Sequence, residues 1–88
     1  MRLDVFLKRT GIFKQRALAK ETCDRGGVTV DGRPARASRE VEPGQVVRVE
    51  TEREELELQV VGLPERNYRR KAGEVCYRVK SRKLKTII

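Results

Sequence analysis

The 88-residue sequence predicts an α+β fold, in which two N-terminal helices pack on a small, mainly antiparallel sheet that is followed by a basic C-terminal extension. Two patterns support this fold. Apolar residues recur three and four positions apart before residue 25, and they alternate with polar residues after residue 27. A chain of this length buries only about 60 to 65% of the surface of its unfolded state, so we expect one modest core.

The first predicted helix spans the residues between Leu3 and Gly11. Leu3, Phe6 and Leu7 follow the i, i+3, i+4 spacing of a buried helical stripe, and Gly11 readily takes the left-handed conformation that ends helices. Asp4 lies in the first turn, where a carboxylate can accept hydrogen bonds from free backbone amides. Phe6 is expected in the core, and Phe13, beyond the helix, in or near it.

The second predicted helix runs from Lys14 to about Asp24, and Gly26-Gly27 ends it. Arg16 and Lys20 are spaced i and i+4, so they project together from the edge of its apolar face, and truncation of Arg16 is expected to spare the fold. At about 100° per residue that face is contiguous and predicted to be buried; it contains Leu18, Ala19, Thr22 and Cys23.

Three short strands are predicted after the helices. Residues 28–30 alternate and enter a tight turn at Asp31-Gly32, which needs a positive φ. A second turn is marked by Pro43-Gly44. Residues 47–49 and 56–60 then alternate apolar with polar side chains, as half-buried strands do.

The C-terminal part begins after Leu63-Pro64. Residues 65–73 are polar and charged and predict a loop or flexible arm, and residues 75–79 predict an edge strand, because Tyr77 and Val79 alternate with polar residues. A basic tail is expected from Lys80. We therefore divide the chain into a domain at 1–62 and a basic loop, edge strand and tail at 63–88.

The charge of the chain is strongly positive and unevenly distributed. It has 21 Lys and Arg against 13 Asp and Glu, which gives a net charge of +8. Residues 1–44 have ten basic and six acidic residues (+4), 45–61 have two and five (−3), and 62–88 have nine and two (+7). Such an excess favours a polyanionic partner, and it places the candidate contact surfaces in the two ends of the chain.

Several other classes of protein are excluded. No apolar run approaches the roughly 20 residues of a membrane-spanning helix, and Arg2 and Asp4 interrupt any signal peptide, so a cytoplasmic protein without a membrane partner is expected. Cys23 and Cys76 lie far apart and the chain has no His, which predicts buried thiols and no metal or other cofactor. Asp4 is a poor catalytic candidate, because acid-base chemistry needs a pocket and a tuned pKa. No catalytic residue is expected, and the chain is not an enzyme.

Four blocks of sequence, in this order, resemble one RNA-binding family. They are the run Arg2-Leu3-Asp4-Val5-Phe6-Leu7, then Gln15-Arg16-Ala17-Leu18-Ala19, then Gly27-Val28-Thr29-Val30-Asp31-Gly32, and finally Val41-Glu42-Pro43-Gly44. Together they resemble the RNA-binding domain named after small-subunit ribosomal protein S-four. The resemblance implies that the two helices and the following turn face RNA. Gln15 and Gln45 depart from the pattern, in which Ser and Asp are common, and these changes put local capping in doubt.

Two features of the sequence are similar to the stand-alone group that includes RqcP and heat-shock protein fifteen. No catalytic domain follows, and the C-terminal part contains the run Glu74-Val75-Cys76-Tyr77-Arg78-Val79. This resemblance implies binding to rRNA and peptidyl-tRNA on the large ribosomal subunit after the subunits have split. It further implies support for C-terminal tailing of the stalled chain, with RqcH as a possible partner and the protein itself as a monomer. Two alternatives stay open, namely a ribosome-assembly or regulatory RNA binder and an adaptor for a membrane surface or an acidic partner.

The candidate RNA-binding residues are all cations. Arg2 and Arg16 match block positions of the family, and arginine can bind phosphate with two parallel hydrogen bonds. For the others the competing interpretations are a solvated charged face, a weak surface ion pair or a disordered basic arm. Beyond Arg2 and Arg16 the candidates are Lys8, Arg9, Lys14 and Lys20 near the helices, Arg33, Arg36 and Arg39 after the turn, and Arg69, Arg70 and Lys71 beside Tyr68.

Overall fold

A computed structural model describes residues 1–63 and 76–85 of the chain. Two helices precede one five-stranded antiparallel sheet, so the predicted α+β fold is confirmed. The helices are α1 (Leu3–Arg9) and α2 (Arg16–Asp24). The strands are β1 (Val28–Val30), β2 (Arg33–Pro34), β3 (Val46–Glu50), β4 (Glu54–Val60) and β5 (Tyr77–Leu84), in the spatial order β2-β1-β3-β4-β5.

The core joins the two helices to one face of the sheet. In α1 the predicted stripe of Leu3, Phe6 and Leu7 is fully buried, and Phe13 packs against the core from the edge. Both cysteines are buried and free, as predicted. The strands contribute the alternating residues that the sequence assigned to the inner face, which are Val28, Val30, Val47, Val49, Leu58 and Val60.

Helix α2 is shorter, and its buried face narrower, than the sequence predicts. It begins at Arg16 because Gln15 is extended, with φ −132° and ψ 138°. Thr22 and its neighbours Ala19 and Cys23 are buried, but Leu18 is 46% exposed, so its predicted place in the core is wrong. Leu18 lies about 40° beyond Thr22 around the helix axis, on the side away from the buried face.

The first turn of α1 takes its capping partners from a distant loop. The amide of Leu3 donates a hydrogen bond to the carbonyl of Arg39 at 2.7 Å, and the amide of Asp4 donates one to the carbonyl of Ala37 at 3.1 Å. Of the free amides in this turn, the Asp4 carboxylate accepts a hydrogen bond from the third, that of Val5, at 2.8 Å. The predicted capping role of Asp4 is therefore correct for one amide, while the backbone of residues 37–39 satisfies two others.

The turns that the sequence marked are present and have the expected geometry. Asp31 and Gly32 both have positive φ, at 52° and 85°, which is the geometry of a two-residue hairpin turn, and this turn joins β1 to the very short β2. Gln45 does not weaken the second turn, because its side chain accepts a hydrogen bond from the amide of Glu42 at 2.8 Å.

Strand β5 extends further than predicted. It is an edge strand that pairs with β4, as expected, but it continues to Leu84. Its register shifts beside Leu58, which pairs with Val79, while Glu57 pairs with Ser81 and leaves Lys80 as an extra residue. Most of the expected basic tail from Lys80 is therefore strand, because the long free edge of β4 offers backbone partners to residues that have no apolar signature.

Candidate RNA interface

A buried carboxylate at the start of α1 holds two arginines of the predicted interface. Asp4 is 1% exposed, and its carboxylate oxygens accept hydrogen bonds from the Nε of Arg2 at 3.2 Å and from the Nε of Arg16 at 3.0 Å. A second Arg2 nitrogen, Nη2, lies 3.3 Å from the same carboxylate. About half of each arginine side chain remains exposed. Asp4 therefore fixes one side of each guanidinium group, and the exposed part of each arginine can contact a ligand.

The charge state of Asp4 follows from these contacts. Burial raises the pKa of its carboxyl, but hydrogen bonds and charge from Arg16, and then from Arg2, outweigh burial and hold the pKa below its usual value. Asp4 is therefore ionised at neutral pH. It draws both arginines to one point, although they are 14 residues apart in the sequence.

This lowered pKa predicts an acid-dependent loss of stability. A carboxyl whose pKa is lower when folded stabilises the protein above its unfolded pKa, near 4, and this contribution disappears as pH falls through the folded pKa. Urea unfolding between pH 2 and 7 should show the loss below about pH 4. In Asp4→Asn this component of the pH dependence should be absent. An unchanged acid slope in that variant would show that Asp4 is not the group responsible.

The contact with Asp4 revises the expectation that Arg16 has no structural role. Arg16 projects from the edge of the buried face of α2, as predicted, but its Nε also neutralises a buried charge on α1. Sequence spacing could not reveal this pair, because the two residues lie 12 positions apart on different helices. Arg16 therefore ties α2 to α1 while about half of its side chain stays exposed.

A shallow cleft opens beside this pair, between α2 and the loop after β2. Three of the predicted cations line it, one each from the start of α1, from α2 and from the loop. They are Arg2, Lys20 and Arg36, all of them exposed. The rest of the lining is small or acidic: Cys23, Asp24, Ala37 and Ser38. The cleft therefore combines three cations with one carboxylate and three small side chains, and its net positive charge suits an RNA backbone.

The other predicted cations lie in different places. Lys8 is exposed in the last turn of α1, and Arg9 beside it is half-buried. Lys14 is exposed in the connection before α2. Arg33 is exposed on β2, and the backbone carbonyl of Arg39 accepts the hydrogen bond from the amide of Leu3. The predicted group Arg69, Arg70 and Lys71, with Tyr68, lies outside the residues that the structure describes.

Cys23 lies in the lining of the cleft without being a reactive thiol. Burial raises the pKa of its thiol to about 11, and the negative charges of Asp4 and Asp24 act in the same direction. Since the thiolate is the nucleophilic form, Cys23 is inert at neutral pH. The cleft thus offers recognition groups, and its one thiol supplies no nucleophile.

A family model built from known proteins matches the region of the chain that contains this surface. The family model described as "S4 domain" matches residues 1–47, which include both helices, the turn after β1 and the loop that caps α1. The matched region contains Asp4, both of its arginines and every residue of the cleft.

Relatives of known name cover nearly the whole chain. The chain is 36% identical over 84 residues to the RQC P-site tRNA stabilizing factor of Bacillus subtilis, with 96% of this chain and 98% of the relative aligned. It is 34% identical over 80 residues to the protein of the same name from Halalkalibacterium halodurans, with 91% and 90% aligned. Among solved structures, heat shock protein 15 of Vibrio cholerae, described as trimeric, has a TM-score of 0.79 and 28% identity, with 92% of this chain and 82% of that chain covered.

Proposed function

The chain belongs to the S4 domain family, and from this premise we propose that it binds rRNA and tRNA on large ribosomal subunits that hold a stalled peptidyl-tRNA. In this role it stabilises the tRNA and so supports rescue or C-terminal tailing of the nascent chain. It performs no chemistry of its own and works as a cytoplasmic monomer. RqcH is the proposed partner in tailing.

One observation supports this proposal above the others, which is the pair of arginines fixed on buried Asp4. An ordered guanidinium loses less conformational entropy on binding than a free one, and its remaining N–H groups match the geometry of phosphate. Arg2 also lines the cleft with Lys20 and Arg36, so three cations point to one ligand surface. A rigid cluster of this kind suits the backbone of a folded RNA, whose shape fixes where its phosphates lie.

The names of the relatives support the ribosomal part of the proposal. Both aligned relatives are factors that stabilise tRNA in the P site during ribosome quality control, and their alignments reach over most of each chain. Among the described residues no helix is long and apolar enough to cross a membrane. The polyanion that the chain meets is proposed to be RNA, because both relatives are named for stabilising tRNA.

Binding to tRNA should be strongly dependent on salt and on the shape of the nucleic acid. The logarithm of affinity should fall linearly with the logarithm of salt, with a slope of about −0.7 to −0.9 for each phosphate contacted. A DNA duplex with the same number of phosphates should bind at least several-fold more weakly, because its grooves differ and it lacks 2′-hydroxyls. Fluorescence titration of both ligands measures this. Equal affinity for the two would reduce the chain to a non-specific polycation and refute the proposal.

A further inference from the structure

A second cluster of cations lies along β5, at the edge of the sheet opposite β2 and the loop that lines the cleft. Strand β5 and the residue after it contain five cations and no acidic residue: Arg78, Lys80, Arg82, Lys83 and Lys85. This edge lies four strand positions from β2, which corresponds to about 19 Å at the usual strand spacing. It is therefore a surface separate from the one proposed above.

Ion pairs divide the five cations into two groups. Arg82 pairs with Glu54 on the neighbouring strand β4 at 2.8 Å, and Lys85, the residue after β5, pairs with Glu50 on β3 at 3.0 Å. Arg78, Lys80 and Lys83 are exposed, and within residues 1–63 and 76–85 they have no ion-pair partner. Lys83 lies opposite Glu55 on β4, but Glu55 pairs with Arg48 instead, at 3.2 Å. Among the described residues, two of the five cations are held by ion pairs and three are not.

The register shift in β5 changes which cations share a face. Leu58 pairs with Val79 and Glu57 pairs with Ser81, so Lys80 is the extra residue of a bulge. Strand alternation therefore reverses at this point, which places Lys83 on the same face as Arg78. Without the bulge the two would lie on opposite faces. Arg78 and Lys83 pair with Gln59 and Glu55, four residues apart on β4, so they span about 13 Å at the usual rise of a strand.

Protection of the sheet edge is the competing explanation for these charges, since lysines on an edge strand prevent pairing with other chains. A single charge on an edge strand can serve that purpose, and β5 has four cations. We propose that Arg78, Lys80 and Lys83 form a second contact surface for the phosphate backbone of RNA. The molecule then lies between two RNA segments, with the helices and cleft on one and the edge of β5 on the other. This rests on the proposed RNA-binding function and adds a second surface to it.

Neutralising two of these cations should weaken RNA binding through salt-dependent contacts. We expect Arg78→Ala/Lys80→Ala to lower the salt slope for a tRNA transcript by about 1.5, from about 0.7 to 0.9 for each lost phosphate contact. Affinity near 0.15 M salt should fall roughly tenfold. The matched control is Arg25→Ala/Arg53→Ala, which removes the same charge from two exposed residues that belong neither to the cleft lining nor to the three β5 cations, and it should leave the slope unchanged. Circular dichroism of both variants confirms folding.

Each outcome of this experiment decides the inference. Equal changes in the two variants would mean that only net charge matters, and an unchanged slope in the β5 variant would mean that the edge does not touch RNA. Vesicles containing phosphatidylserine provide a further arm. If the β5 variant loses vesicle binding but keeps the tRNA slope, the surface serves a membrane and the inference is overturned. Arg16→Ala, measured beside them, reports on the helix surface alone, so loss of the proposed function can be told from loss of this second surface.

Discussion

Replacing Arg16 with Ala should weaken binding to large subunits or to structured RNA by about 1 to 3 kcal/mol, the range for hydrogen bonds that involve a charged group. The loss has two causes: the phosphate contact disappears, and Arg2 is left as the sole cation on Asp4. Arg16→Lys should recover only part of the affinity, because an ammonium retains the charge without the planar pair of donors. Fluorescence titration with a tRNA transcript gives the affinities.

Measuring the stability of the Arg16 variants separates the lost phosphate contact from the effect of leaving Asp4 with one cation fewer. We expect Arg16→Ala to lower the free energy of unfolding by about 1 kcal/mol, since Arg2 still neutralises Asp4 and the lost contact is half exposed. Arg53→Ala removes the same charge from an exposed position that makes no side-chain ion pair with a described residue, so it should change neither quantity. Unchanged RNA affinity in Arg16→Ala would remove α2 from the interface.

Removing both arginines should cost far more stability than either single change. In Arg2→Ala/Arg16→Ala the Asp4 carboxylate stays buried, and among the described residues only the Val5 amide still donates to it. An uncompensated buried charge costs about 3 to 5 kcal/mol, and we expect about 3 because water can approach once the arginine side chains are gone. A domain of this size has a total stability of only about 4 to 13 kcal/mol. Urea unfolding should therefore show a large shift in midpoint, greater than the sum of the single variants.

A third substitution tests whether the buried charge is the cause. Adding Asp4→Ala to the double variant removes the charge, so most of the lost stability should return, while RNA binding should stay weak because both arginines are absent. The two properties are then separated in one protein. If the triple variant is as unstable as the double variant, the arginines stabilise the fold through their packing, and the role assigned to Asp4 is wrong.

The sequence predicted the elements that depend on local periodicity and turn chemistry. Leu3, Phe6 and Leu7 set the face of α1, and Asp31 and Gly32 set the turn after β1, because spacing and positive φ are local properties. Leu18 was misplaced because periodicity gives the direction of a buried face but not its width, which depends on how closely other elements approach. The prediction for Lys80 and the residues after it failed for a related reason, since an edge strand is held by backbone pairing and needs no apolar pattern.

The candidate site was predicted in its composition but not in its internal structure. Family blocks identified Arg2 and Arg16, and helical spacing placed Lys20 beside Arg16. Neither could show that Asp4 is buried and holds both arginines, because that arrangement depends on how α1 packs against α2. The cleft has the same origin, since Arg36 reaches it only through the loop whose carbonyls cap α1.

Binding to large ribosomal subunits with and without peptidyl-tRNA in the P site tests the proposed function most directly. Purified subunits of both kinds are incubated with the protein and separated on sucrose gradients, with Arg16→Ala as the binding-deficient control. We predict that the wild-type protein binds subunits that hold peptidyl-tRNA at least tenfold more tightly than empty ones, and that Arg16→Ala loses most of this preference. Equal binding to both kinds of subunit, or no binding to either, would contradict a role in stabilising tRNA on the large subunit.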